Sequence, residues 1–280
     1  MHVEQLSLNQ ATMTTTPTEQ VLALCEEAGV TQISLWRDQY VHGDVRRTAR
    51  LVQAHGLTVS SLCRGGFFTG TRSRDKAEED NCRAIDDAAA LEAPVVVLVC
   101  GPVLREGLAA AENAIVDGIV KLAPYAQQAG VTLAIEPFHP MLAAERSAVV
   151  TLNQACDLVD RIAHPSVSIA LDTYHIWWDP NLPQALQRAL PATSTVQIAD
   201  WLVPTTDLLS GRGLPGDGIA DLNGILDEVE KYGYRGPLEV EVLNPIVWAR
   251  PAAQLLADIQ RRMVTLLTAL PSGPVEAGLP

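Results

Sequence analysis

Positive charge is scarce in this chain. Its 20 Lys and Arg face 33 Asp and Glu, leaving a formal net charge of −13 over 280 residues and an isoelectric point near 4.8. Arg occurs mostly singly, so the clustered basic surface that a phosphate backbone demands is lacking. Neither nucleic acid nor an anionic membrane is an expected partner. Long hydrophobic runs are lacking too. The longest, Ala93 to Leu104, contains Pro94 and Gly101 and falls far short of the ~20 residues a membrane span needs. The N-terminal MHVEQLSLNQ enters a strand pattern with no basic-then-apolar leader, and a cytoplasmic location is expected. The five cysteines (Cys25, Cys63, Cys82, Cys100, Cys156) show no CxxC spacing. Cys25 and Cys156 fall at apolar helix positions and Cys100 ends an apolar run, which reads as reduced core residues. No Ser/Gly linker divides the chain, so residues 1–270 read as one domain and PSGPVEAGLP, 271–280, as a loose tail.

What is present is apolar and regularly spaced. The chain is 48% hydrophobic with a mean hydropathy of +0.12, enough for a large core. Eight strand candidates recur at 3–8, 31–36, 57–63, 95–100, 131–136, 167–172, 195–199 and 237–243. Most are continuous Val/Ile/Leu runs, the pattern of parallel strands buried on both faces. A helical segment follows each. Thr16-Pro17 is a start signal for the first. Residues 107–128 repeat Leu108, Ile115, Ile119, Leu122 and Ala126 on one helical face, with a kink expected at Pro124. AGV (28–30), HGL (55–57), AGV (129–131) and YGY (232–234) each put a Gly between a helix end and the next strand. Eight such beats predict a single (β/α)8 TIM barrel. A doubly wound open sheet is the rival, but LSLNQATM lacks the glycine fingerprint that should follow its first strand.

In a barrel, the C-terminal strand ends share one face, and four successive strands close there on Glu136 (VTLAIEP), Asp172 (VSIALDTYH), Gln197 (STVQIAD) and Glu241 (GPLEVEV). Three carboxylates and an amide so gathered call for a positive partner, and a divalent metal supplies it. Gln197 offers only a neutral carbonyl oxygen and reads equally as a hydrogen-bonded interior amide, with Asp200 as its supporting partner. Asp172 and His175 form D-x-x-H, where the imidazole can bind metal, hold a hydroxyl or shuttle a proton. Trp177 and Trp178 either wall a sugar face or pack their loop. Glu239 lies deeper than Glu241, and an Arg or Lys is expected beside it. Arg212, in the glycine-rich SGRGLPGDG (210–218), is a candidate for a substrate oxygen. Trp36 and Arg37 are expected at the pocket, as is His139 of EPFHP. RGGFFTGTRSR (64–74) is the one cluster suited to a phosphate-sized anion.

LAIEP, LDTYH, VQIADW, RGLPGDG and YRGPLEVEV together resemble the xylose isomerase-like barrel superfamily, the sugar phosphate isomerase/epimerase group. The resemblance covers nearly the whole chain. It implies one divalent ion, Mn²⁺ or Mg²⁺ before Co²⁺ or Zn²⁺, on Glu136, Asp172, Gln197 and Glu241. It also implies His175 and Arg212 on substrate oxygens. The reaction implied is isomerisation or epimerisation of a sugar or sugar-like polyol by proton transfer next to a carbonyl, through a metal-stabilised enediolate, with Glu136 and Glu241 as the acid/base pair. A lyase or dehydratase on a keto-sugar or inosose is the alternative. Ketose epimerases of that group carry His where this chain has Gln197, so sugar identity does not carry over. A non-catalytic sugar-binding barrel and an endonuclease IV-like repair enzyme are further rivals. The second needs many His ligands and a basic groove, and this chain has six His in all. Homo-oligomers are common in the superfamily, though no segment here defines an interface.

Overall fold

All eight expected strands form and close into one parallel barrel in the computed structural model, which describes residues 1–70 and 73–270; the tail expected at 271–280 lies outside the described residues. The barrel strands are β1 (Leu6–Asn9), β2 (Gln32–Trp36), β3 (Thr58–Gly66), β4 (Val95–Val99), β5 (Thr132–Ile135), β6 (Val167–Asp172), β7 (Thr193–Ile198) and β10 (Leu238–Val240). Between β7 and β10, β8 (Asp200–Trp201) and β9 (Arg212–Gly213) make a short antiparallel ribbon. Closure is direct: Leu6, Ser7 and Leu8 of β1 register with Leu238, Glu239 and Val240 of β10.

The outer helices are α1 (Thr18–Ala28), α2 (Val45–Ala54), α3 (Arg74–Ala90), α4 (Leu108–Gln128), α5 (Leu152–Ile162), α7 (Leu182–Ala189), α8 (Leu222–Lys231) and α10 (Ala252–Thr268). Two single-turn helices, α6 (Thr173–Ile176) and α9 (Pro245–Trp248), sit in loops on the functional face. The start of α1 differs from expectation: Pro17 itself holds the cap position, without a side-chain cap. Helix α4 runs on through Pro124, with Ile115, Ile119, Leu122 and Ala126 buried as patterned, but Leu108 in its first turn stays exposed. Gly29, Gly56, Gly130 and Gly233 all adopt φ between 69° and 78°, a left-handed bend that ends each helix cheaply only without a Cβ.

The main apolar core lies between the strands and the helix ring, where Leu8, Leu22, Ile33, Leu62, Ile115 and Ile259 are fully buried. Inside the barrel, Cys63, Val95, Val97, Ala134 and Ala170 form a smaller apolar cluster. The rest of the interior is polar and centres on Glu239. Among the described residues no cation meets that carboxylate, contrary to expectation. It accepts hydrogen bonds from Ser60 Oγ at 2.9 Å, Thr195 Oγ1 at 2.9 Å and Ser61 Oγ at 3.0 Å. Adjacent serines both reach it because the β2–β3 register slips there, pairing Ile33 with Val59 and then Ser34 with Ser61. Burial raises the Glu239 pKa while these hydroxyls lower it. Glu239→Ala would strip three buried hydroxyls of their acceptor and open a void. It should lower stability by about 2–3 kcal/mol in urea unfolding. Glu239→Gln, which keeps an acceptor, should cost much less.

Candidate active site

Each expected ligand lies where its strand ends. Glu136 follows β5, Asp172 closes β6, Gln197 sits one residue before the end of β7 and Glu241 follows β10. All four are buried, with Asp172 and Gln197 wholly so. Asp172 and Gln197 are register partners across β6–β7, and Gln197 pairs in turn with Glu239 of β10. The barrel thus presents the ligand candidates side by side, as the strand-end pattern predicts.

Arg212 joins them from β9 and dominates the electrostatics. Its Nη1 donates to Asp172 Oδ2 and to Glu241 Oε2, each at 2.8 Å. The guanidinium also lies 4.6 Å over the Tyr174 ring. Burial opposes its charge, but Asp172, Glu241 and Glu136 more than offset this and raise its pKa. Arg212 is therefore a fixed cation holding two of the candidate ligands together. Its loop is held by Asp200, which does not support Gln197 as expected. Asp200 Oδ2 accepts from the N–H groups of Gly216 (3.1 Å) and Gly218 (2.9 Å), and Oδ1 from Ala220 N–H (3.0 Å).

Glu241 is surrounded by donors. Its Oε1 accepts from Asn9 Nδ2 at 2.9 Å and Gln197 Nε2 at 3.3 Å, and Oε2 from Arg212. Burial nonetheless pushes its pKa up to about 7, with Arg212 pulling it down and Asp172 and Glu239 pushing it up. Glu136 is lifted well above the ordinary range, by burial first and then by Asp172 and Glu241, against the pull of Arg212 and Arg64. Asp172 is raised by burial and restrained by Arg212 and the Tyr174 N–H.

His175 has its tautomer set by the backbone. The His139 N–H donates to His175 Nδ1 at 3.2 Å, so that nitrogen is an acceptor and Nε2 carries the proton. Burial, Arg212 and His139 keep the ring neutral, its pKa well below the usual value. Phe138 stacks on it at 4.1 Å and fixes its plane. The Nε2–H faces Asp172 Oδ2 at 3.7 Å, Glu136 Oε1 at 3.9 Å and Arg212 Nη2 at 3.3 Å. Two donors, Nε2–H and Nη2–H, thus converge with no acceptor between them. An oxygen placed there would satisfy both.

The donor set fits a divalent cation. Glu136, Asp172 and His175 bring ligand atoms within 4.8 Å of one another, although the tautomer makes His175 a donor rather than a ligand. Gln197 supplies the independent sign: its Oε1 is buried with no hydrogen-bond partner, while its Nε2 is turned to Glu241. A buried amide oxygen left bare is costly, and a cation beside the three carboxylates would accept it as a hard ligand.

Other expected residues divide. Trp36 lines a cavity of ≈ 110 Å³ with Glu136, Glu241 and Arg212, and its Nε1 donates to Asn9 Oδ1 at 2.9 Å. Arg37 turns away to ion pairs with Asp80 (3.3 Å) and Asp87 (3.4 Å). His139 and Trp177 do not line this cavity. They pack on Trp201, with ring centroids at 4.7 and 5.5 Å. Trp178 donates from Nε1 to His175 O at 2.8 Å, so the Trp pair packs its loop. Cys82 is half-buried rather than a core residue, and Cys63 touches the site, its Sγ 3.9 Å from Gln197 Nε2. Asn9, Cys63 and Arg146 were not singled out as site residues from sequence. Asn9 and Cys63 do end or nearly end strands, the signal that found the others; Arg146 sits in a loop and carries none. Among the described residues, no helix is long and apolar enough to cross a membrane.

Comparison with known proteins agrees with the fold. The model of the xylose isomerase-like TIM barrel family matches residues 22–263. A crystal structure of a Sinorhizobium meliloti 1021 protein superposes with a TM-score of 0.89 at 42% identity, covering 95% of this chain and 99% of that one. A 3-dehydroshikimate dehydratase of Pseudomonas putida is 28% identical over 235 residues. That alignment covers 81% of this chain but 36% of the dehydratase, so the chain spans about a third of that relative's length. A structure of the IolI protein with a bound zinc atom shares the fold, with a TM-score of 0.83 at 21% identity over 95% of this chain and 99% of that one.

Proposed function

The chain belongs to the xylose isomerase-like TIM barrel family, and from that premise we propose that it is a divalent-metal-dependent enzyme. In this reading it removes a proton next to the carbonyl of a small polyhydroxylated ketone and expels a β-hydroxyl as water. The observation that carries the reading is the pair of converging donors, His175 Nε2–H and Arg212 Nη2–H, beside the Glu136 carboxyl. Such a pair suits an oxygen on which negative charge grows.

Glu136, Asp172, Gln197 Oε1 and Glu241 would hold the ion. When bound, a divalent ion there supplies a Lewis acid and a counter-charge for the carboxylates. All-oxygen ligands favour Mn²⁺ or Mg²⁺; the zinc in IolI makes Zn²⁺ the rival. Glu136 takes the α-proton as the C–H electrons move toward the carbonyl oxygen, where Arg212 and His175 hold the charge. The electrons then return, the β C–O bond breaks, and Glu136 gives its proton to the departing hydroxyl. One group serves both transfers, so the expected acid/base pair is revised: Glu241, with donors on both oxygens, orients and binds. The dehydratase outcome is favoured by the alignment with a dehydratase over 81% of this chain. Isomerisation, in which Glu136 returns the proton to the neighbouring carbon, is the second reading and uses the same groups.

Elemental analysis tests the premise. The purified protein should carry about one equivalent of Mn, Mg, Co or Zn, and Glu241→Ala, with folding checked by circular dichroism, should carry almost none. A wild type that takes up no metal even from added Mn²⁺ ends this reading.

A further inference from the structure

The cavity above the candidate ligands is charged in two layers. Its inner wall carries the buried Glu136, Glu241 and Arg212, and two further arginines, Arg64 and Arg146, line it from half-buried positions. Apolar side chains, Phe138, Val99, Leu209 and Leu243 among them, make up much of the remaining wall. The mechanism above uses neither outer arginine. A chain with a net charge of −13 would not gather guanidinium groups around so small a space for general solubility.

Both outer arginines are positioned. Arg64 directly follows Cys63 on β3, its guanidinium lies 4.4 Å over the Phe67 ring, and its charge is felt by Glu136. Arg146 is anchored through its backbone, its carbonyl accepting from Gly101 N–H at 3.0 Å. Asp207 feels the Arg146 charge, but its Oδ1 is already engaged by the N–H groups of Leu209 (2.9 Å) and Ser210 (2.6 Å).

We infer that Arg146 and Arg64 form an anion clamp for a carboxylate on the substrate, which makes the substrate class polyhydroxylated keto acids rather than neutral sugars. The inference deepens the proposed function and rests on it for the reacting end of the molecule. Guanidinium forks match a carboxylate bidentately. Glu136 and Glu241 would repel that carboxylate, so the acid end has one favourable orientation, outward onto the arginines. The carbonyl is thereby directed inward to Arg212 and His175. The apolar side chains that share the cavity wall lower the local dielectric and strengthen such contacts.

Isothermal titration calorimetry of the full chain in excess MnCl2 tests the clamp with three probes: quinate, a cyclic polyol carboxylate; myo-inositol, a neutral counterpart; and fructose 6-phosphate. Quinate should bind at least about tenfold tighter than myo-inositol. Arg146→Met should erase that preference, Arg146→Lys should keep part of it, and Arg64→Met should repeat the loss from a second position. Melting curves of each variant exclude unfolding as the cause. Equal or absent binding of quinate and inositol, or an unchanged quinate affinity in Arg146→Met, overturns the clamp. Tightest binding of fructose 6-phosphate overturns the commitment to a carboxylate. The catalytic reading is tested separately, by deuterium exchange of α-protons in D2O. Arginine-dependent quinate binding without exchange on any keto acid sinks the catalysis and leaves the clamp. Exchange on neutral ketoses that ignores Arg146→Met does the reverse.

Discussion

Glu136→Gln should abolish measurable turnover, a loss of about 10²–10⁴-fold, while the protein folds normally. The amide keeps the shape of the carboxylate and one oxygen for a cation, but it has no lone pair basic enough to take a carbon-bound proton. Assays at saturating Mn²⁺ separate this loss from a weakened metal site. The fold should not suffer, because the wild-type carboxyl is costly where it stands. Burial and the charges of Asp172 and Glu241 raise its pKa well above the usual range, so replacing it with a neutral group removes a repulsive partner. The expected result is a dead enzyme whose metal-free form melts no lower than wild type. A variant retaining a tenth of the wild-type rate would move the base elsewhere, to Glu241 first.

Arg212→Met should produce the opposite pattern in the metal-free protein, a large loss of stability that divalent ions restore. Arg212 Nη1 spans Asp172 Oδ2 and Glu241 Oε2. Without it, Asp172 and Glu241 lose the guanidinium bonded to both, and three buried carboxylates are left crowded together. Removing one partner of a buried ion pair costs about 3–5 kcal/mol, a fall in Tm of roughly 10 °C for a chain of this size. The effect is pH-dependent, and its sign follows from Glu241. Its folded pKa, about 7, lies above its unfolded value. Its contribution to the stability of the metal-free protein is therefore complete below about pH 4.5 and is lost as pH rises through about 7. Loss of Arg212 raises that pKa further and carries the window upward. The variant should approach wild-type stability in acid and depart from it most at alkaline pH. Melting curves in EDTA and in Mn²⁺, from pH 5 to 9, read both effects. A variant as stable as wild type in EDTA at alkaline pH would show that another group neutralises the carboxylates.

The fold was largely legible in the sequence because a parallel barrel states itself locally. Most strands are apolar runs, five of the eight have a polar residue at or beside their end (Asn9, Glu136, Asp172, Gln197, Glu241), and four of the helix ends carry a glycine at positive φ. The gathering of the four candidate ligands was legible for the same reason, since strand ends converge whatever the loops do. What sequence could not supply was partnership. Glu239 was expected to meet a cation and instead meets three hydroxyls, one of them brought in by a register slip that leaves no mark in composition. Asp200, three residues after Gln197, reads as its support, yet its carboxylate turns to the backbone of a loop sixteen to twenty residues on. His139 and Trp177 were placed by adjacency to motifs, but both pack against Trp201, His139 stacked on it and Trp177 tilted to it. The His175 tautomer depends on a single backbone N–H, and no residue pattern encodes that.

The seam between the first and last strands has a consequence for how activity is gained and lost. Asn9, at the end of β1, donates to Glu241 just past β10. Nearby, Thr12 Oγ1 donates to the Val240 carbonyl and accepts from the Val242 N–H, both at 2.8 Å. The reacting centre therefore straddles the point where the two ends of the ring meet, 232 residues apart in sequence. It cannot be completed in an open arc of strands, however well each βα unit is formed. Whatever chemistry the site performs is therefore tied to an intact ring: opening the β1–β10 seam takes the site apart even where every βα unit is still formed.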